Sequence, residues 1–271
     1  MLDLWNSIII GIIEGLTEFL PVSSTGHMIL AGHLIGFTGA KADTFEIVIQ
    51  LGAILSIIVL YWKRVLRLFG IREANISSQS GRTLSLKHII IGILPALLFG
   101  FLLHKQIKNL FNPVVVVIGL IVGGVFMIIA EKFHSRIESE TLDDITYKQS
   151  FFIGVVQCLS LWPGFSRSGA TIAAGMLAGT SRAAAADYTF LMAVPIMSAA
   201  TGYDLLKNYK NFSSDDFVFL IIGFVVAFIV AMLAVSTFIK LVGKLKLTYF
   251  SYYRFALAIL VILYMMYGGL K

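Results

Sequence analysis

The sequence predicts an all-helical protein that crosses a lipid bilayer several times. Three observations carry that prediction. Hydrophobic residues make up 58% of the 271 residues and charged residues only 13%, too few to cover a soluble domain of this size. The apolar residues fall in long uncharged runs. Phe217 to Ile239 is 23 residues and Asn109 to Ala130 is 22, each enough for a helix across ~30 Å of hydrocarbon. The short alternating segments of a membrane β-barrel do not occur.

Six stretches read as full spans: roughly 44–62, 88–104, 111–131, 187–206, 216–240 and 252–270. Two further apolar regions, about 4–37 and 150–180, are broken. The first holds Pro21 and Gly26 among polar residues; the second holds Pro163, Gly164 and Gly169. Each is long enough for two short helices around a turn, and each reads as a re-entrant hairpin, with an ordinary pair of spans as the alternative. Irregular backbone at membrane depth is tolerated only where protein or water satisfies it, so both breaks point to a buried cavity.

The broken regions match each other without a gap at a shift of 143 positions. Gly11, Leu16, Ser23 and Gly26 fall on Gly154, Leu159, Ser166 and Gly169, and Ala31, Gly32, Leu34 and Gly36 on Ala174, Gly175, Leu177 and Gly179. This reads as an internal duplication. The chain is then one membrane domain, 1–271, with repeat one at about 1–135 and repeat two at about 147–271. Each repeat has one hairpin and three spans. Three is odd, so the repeats are expected to be inverted, with a site between them near the midplane.

Basic residues set the expected orientation. Fourteen Lys and Arg, Arg254 among them, fall on the side of the 63–87 loop, against six on the other, with Arg167 left aside in a hairpin. The positive-inside rule puts both termini outside. No signal peptide is evident, because Glu14 and Glu18 interrupt the first apolar stretch. That favours a multi-pass protein of a bacterial inner membrane. The net charge of +6 is explained by basic loops and does not call for nucleic acid. Cys158 is the sole cysteine, which excludes an intrachain disulfide and a cysteine metal cage.

The chemistry-bearing residues lie in the breaks. Glu14 and Glu18, four apart, share a helix face and repel unless a proton or a cation intervenes. A divalent cation such as Mg²⁺, with Ca²⁺ an alternative, fits one or two carboxylates completed by substrate phosphate. Ser23, Ser24 and Thr25 open a short helix and suit an anion, or else simple N-capping. His27 can exchange a proton near neutral pH, or act as a hydrogen-bonded spectator. In the second break, Arg167 stands where Ser24 stands in the first. Flanked by Ser166, Ser168 and Thr171, it suits a phosphate; a salt bridge to Glu14 or Glu18 is the alternative. Glu46 and Gln50 share a face and are candidates to line the same cavity. Asp143 and Asp144 read as helix-start acids. Carboxylates, a guanidinium and hydroxyls are the equipment for moving a phosphoryl group, here on a lipid that enters from the side.

At these residues the chain resembles the integral-membrane undecaprenyl-diphosphate phosphatase family of the bacitracin-resistance type. One motif runs Glu14-Gly-Leu-Thr-Glu18-Phe-Leu-Pro-Val-Ser-Ser-Thr-Gly-His27. The other runs Pro163-Gly-Phe-Ser166-Arg167-Ser168-Gly-Ala-Thr171, and the stretch Asp143-Asp144-Ile-Thr-Tyr-Lys-Gln extends the likeness. The resemblance implies conversion of undecaprenyl diphosphate to the monophosphate, dependent on a divalent cation, with the site opening to the outer face. It also implies recycling of the lipid carrier for wall polymers, and bacitracin resistance. The roles expected of the residues are these: Glu14 and Glu18 hold the metal, one of them also a candidate base. Arg167, Ser166, Ser168, Thr171, Ser23 and Thr25 bind the diphosphate. Ser24 is the preferred nucleophile, with His27 as acid/base or alternative nucleophile and direct attack by water as a further alternative. A transporter or flippase of a phosphorylated polyprenyl lipid is the competing reading, and monomer and dimer are both left open.

Overall fold

The computed structural model describes residues 3–71, 83–134, 137–208 and 216–268, and every regular element among them is helical. In the first half these are α1 (Leu4–Thr17), α2 (Ser24–Leu34), α3 (Ala40–Leu60), α4 (Trp62–Leu68), α5 (Leu86–Leu102), α6 (His104–Asn109) and α7 (Pro113–Phe133). The second half has α8 (Tyr147–Gln157), α9 (Arg167–Leu177), α10 (Arg182–Asn208), α11 (Phe217–Val242) and α12 (Leu247–Met266). Five of them, α3, α7, α10, α11 and α12, are long and apolar enough to cross a membrane. The expected span at 88–104 is α5, apolar and 17 residues long. Of the basic residues used for orientation, Arg72, Arg82, Arg136, Lys210 and Lys271 lie outside the described residues.

Local chemistry explains the boundaries. Asp3 caps α1 by accepting from the Asn6 N–H at 2.8 Å. Asn112 caps α7 through Val115 N–H, with Pro113 in the first turn. Thr146 and Gln149 form a reciprocal capping box on α8. Ser181 caps α10, receiving the Ala184 N–H at 3.1 Å, so that helix begins five residues before the apolar run suggested.

Two expectations are corrected. Arg254, counted among the bases that set the orientation although the expected span 252–270 contains it, lies within α12 and is completely buried. It donates to the carbonyls of Leu120, Gly119 and Gly164 at 3.2, 3.0 and 2.8 Å. α12 starts five residues before the expected 252, and three backbone carbonyls hold the Nε and Nη2 side of the guanidinium inside the protein. Asp143 is likewise more than a helix-start acid. It is 2% exposed, accepts from Leu84 N–H at 3.1 Å and pairs with Arg64 at 2.6 Å. Asp144 does the capping, through Thr141.

The two broken regions have matching backbones. α2 and α9 begin and end 143 residues apart, and α1 and α8 begin 143 apart. Ser23 (φ 70°) and Ser166 (φ 73°) are the only described non-glycine residues with positive φ, and they too are 143 apart. Both short helices end in the same left-handed cap, with Gly36 and Gly179 in the positive-φ position. Phe37 N–H reaches Gly32 O (2.7 Å) and Thr180 N–H reaches Gly175 O (3.0 Å). None of these four helices, at 11 to 14 residues, crosses a hydrocarbon core alone at about 1.5 Å per residue.

Packing follows one scheme in both halves. α1 lies on α11 of the other half, and α8 lies on α5 of the other half. Glycines permit these approaches, the usual device between membrane helices. A Cβ at Gly154 would sit 2.4 Å from Gly92 O, and one at Gly15 would sit 2.8 Å from Ala227 O. α3 meets α11 where a Cβ at Gly52 would come within 2.4 Å of Phe224 O. We predict that Gly52→Ala lowers stability by about 1–3 kcal/mol, because the backbone must part to admit the methyl. Thermal unfolding in detergent checks this; an unchanged midpoint contradicts the close approach.

Candidate functional site

The turn after α1 carries Glu18, Phe19, Leu20 and Pro21 back toward α9, and the tips of the two broken regions touch. Ser168 Oγ donates to Leu20 O at 2.8 Å. Arg167 Nη2 donates to Glu18 Oε1 at 3.3 Å, with the guanidinium 5.6 Å from the centre of the Phe19 ring. The other oxygen, Glu18 Oε2, accepts from Ser24 Oγ at 2.6 Å. One carboxylate thus joins a hydroxyl from the first region to a cation from the second.

Backbone strain sets this geometry. A serine with φ near +70° costs roughly 1–3 kcal/mol and persists only where its surroundings hold it. Ser23 adopts that conformation immediately before Ser24, and Ser166 immediately before Arg167. The strained pair therefore aims the two residues that meet on Glu18. The Ser166 side chain caps α9 through Gly169 N–H, at 3.2 Å. In the same loop Gly164 (φ 90°) lies so close to α7 that a Cβ would be 2.2 Å from Val116 O.

Beside the tips lies a cavity of about 720 Å³, lined by Glu14, Ser24, Thr25, Met28, Glu46 and Gln50 among others. Glu14 is 4% exposed, and its Oε1 has no hydrogen-bond partner among the described residues. It feels the charges of Glu18, Glu46 and Arg167. A buried carboxylate oxygen without a donor, beside two further carboxylates, suits a cation. Among the described residues no three His, Cys, Asp or Glu side chains gather into a protein-only cage. The donor set therefore fits an ion that keeps positions for substrate oxygens, as Mg²⁺ does. Glu18 is already engaged by Ser24 and Arg167, so Glu14 is the freer of the two expected ligands.

The expected site residues divide into groups. Glu14, Glu18, Ser24 and Arg167 converge, and Thr25 joins Glu14 and Ser24 on the cavity wall. Glu46 and Gln50 line the cavity as their shared face suggested. Ser166 and Ser168 serve the tip itself, as cap and as tip-to-tip donor. Thr171 turns toward α10, accepting from Thr189 Oγ1 at 2.8 Å. Ser23 is 3% exposed and contributes backbone. His27 bonds neither Ser24 nor a carboxylate among the described contacts: its Nδ1 meets Ser23 O at 2.8 Å and its Nε2 meets Tyr253 Oη at 2.7 Å.

Sequence reasoning missed the α12 contributions. Arg254 fixes the loop before Ser166 through Gly164 O, and Tyr253 holds His27. A charge among the apolar residues of Leu247–Met266 was a readable signal for Arg254. Tyr253 gave none, since a tyrosine near a span end is ordinary. The family model described as bacitracin resistance protein BacA matches residues 7–260, and the chain belongs to that family.

Proposed function

We propose that the protein hydrolyses undecaprenyl diphosphate, or a closely related polyprenyl diphosphate, to the monophosphate and inorganic phosphate. The observation that carries this reading is the double use of Glu18, with Ser24 on one oxygen and Arg167 on the other. A serine becomes a nucleophile when a base accepts its proton as it attacks. Ser24 and Glu18 have that relation. Family membership supports the substrate class.

In the proposed reaction the Ser24 oxygen bonds to the terminal phosphorus and its proton passes to Glu18. The bridging P–O bond breaks, and its electron pair leaves with the polyprenyl monophosphate, to which Glu18 yields the proton. Glu18 then takes a proton from water. That water attacks the phosphoserine, inorganic phosphate departs, and the proton returns to the Ser24 oxygen. Arg167 offsets the charge spread over the phosphoryl oxygens, where such catalysis is mostly positioning and electrostatics. Glu14, with Glu18 beside it, would hold a divalent cation, Mg²⁺ or Ca²⁺, which when bound neutralises diphosphate charge. The departing group is a stabilised phosphate anion, so the scheme needs no separate general acid and leaves His27 outside proton transfer.

The same reading sets the two broken regions as re-entrant hairpins of inverted repeats, meeting near the midplane of a bacterial cell membrane. The site opens to the outer face, and both termini lie outside. The monophosphate product then returns as lipid carrier for wall polymers, and removal of the diphosphate gives bacitracin resistance.

Phosphate release from farnesyl or undecaprenyl diphosphate in detergent tests the reading, since a transporter without catalysis releases none. Ser24→Ala and Arg167→Lys should each reduce turnover by roughly 100-fold or more, because one removes the nucleophile and the other the planar fork. Near-wild-type turnover of Ser24→Ala contradicts the covalent route; the same from Arg167→Lys contradicts its role at the phosphoryl group. Glu14→Gln should raise the concentration of Mg²⁺ needed for half-maximal activity by about tenfold or more, as expected when one of two carboxylate ligands is lost. An unchanged Mg²⁺ dependence removes Glu14 from the cation site.

A further inference from the structure

Three features lie outside the reaction described: the buried Arg254 clamp, the Tyr61–Asp187 hydrogen bond beyond Phe190, and the His27–Tyr253 pair. The last reaches the reacting serine through an unbroken set of contacts. His27 Nδ1 lies 2.8 Å from Ser23 O. A carbonyl only accepts, so Nδ1 carries the proton. In the neutral ring Nε2 then has only a lone pair, and the Tyr253 hydroxyl, 2.7 Å away, donates to it. The two rings are stacked, with centroids 5.5 Å apart and planes within 11°. The carbonyl that His27 grips belongs to the strained Ser23, one residue before Ser24.

The second region has no such device. Position 170 is alanine where the first has His27, and the Ser166 carbonyl there takes the Ala170 N–H at 3.0 Å. Ser166 has its own side chain as a cap, through Gly169 N–H, whereas Ser23 makes no side-chain cap bond. At Ser23 an imidazole holds the carbonyl from outside the backbone, whereas at Ser166 the side-chain hydroxyl accepts a helix N–H. The side of α2 that lines the cavity carries Ser24, Thr25, Met28, Ile29, Gly32 and His33. At 100° per residue His27 falls on the opposite face, toward α12.

We propose that Tyr253 and His27 are positioning residues: the Tyr253 hydroxyl fixes the Nδ1–H tautomer of His27, which holds the Ser23 peptide so that Ser24 faces Glu18. This rests on Ser24 as the reacting group. It assigns His27 a role distinct from acid, base or nucleophile, and it gives α12 a direct part in the site.

Asparagine separates the roles. Its amide nitrogen occupies nearly the place of Nδ1 and can donate to Ser23 O, but it offers nothing to Tyr253 and no basic nitrogen. His27→Asn should keep turnover within about tenfold of wild type, and His27→Leu should lose clearly more, since only the first retains the donor. Tyr253→Phe should lower kcat by about 3- to 10-fold with KM within about twofold, the size of one hydrogen bond. Added to His27→Asn, it should cost nothing further. The ¹⁵N shifts of His27 in labelled protein give a readout independent of activity: the Nδ1–H tautomer in the wild type, and a mixture of tautomers in Tyr253→Phe. His27→Asn as inactive as Ser24→Ala overturns the proposal, as does an unchanged tautomer together with full activity in Tyr253→Phe. Absence of phosphate release by the wild-type protein would instead refute the phosphatase reading and leave the tautomer result standing.

Discussion

Glu18 spends both oxygens on groups from different parts of the chain, Ser24 six residues on and Arg167 at the far tip. Both the glutamate and the arginine are largely shielded, with side chains 8% and 13% exposed. A charge taken out of water must be paired and hydrogen-bonded or it is expelled. The pair therefore constrains the fold: neither tip can withdraw without stranding a buried charge. The interaction that closes the structure is also the one that brings the proposed nucleophile, base and phosphate-binding cation together.

The surrounding architecture keeps that contact in register. α1 and α8 each pack on a helix of the opposite half, so the halves are interlocked rather than merely adjacent. Glycine contacts between backbones leave little slack for sliding. Ser23 and Ser166 store strain next to the two residues that meet, and Arg254 grips the second loop from α12 and α7. Rigid scaffolding around strained turns is how preorganised sites are commonly built. Glu14 stands apart from this closed network. Its Oε1 has no hydrogen-bond partner among the described residues, and the residue lines the cavity.

Much of this was readable from the chain. Apolar runs gave the long helices, and the 143-residue match paired the positions that turn out to carry equivalent helices, glycine caps and positive-φ serines. The expected meeting of Glu14, Glu18, Ser24 and Arg167 followed from charges that could not stay isolated in an apolar setting. What escaped was tertiary. Spacing cannot reveal that Ser168 seeks a carbonyl of the other tip, or that Thr171 turns to Thr189. Charge counting used Arg254 for orientation because it could not foresee the three carbonyls that hold it inside the protein. Between proton carrier and hydrogen-bonded spectator the sequence left His27 open, because its partner, Tyr253, is 226 residues away.

The central claim is that Glu18 and Arg167 act as one unit across the two tips. A double-mutant cycle in thermal stability, without substrate, tests it most directly: Glu18→Gln, Arg167→Gln and the pair, measured in detergent. The account predicts a coupling of about 1 kcal/mol or more, with the double variant losing less than the sum of the single losses. Strictly additive losses would mean that the two side chains do not meet.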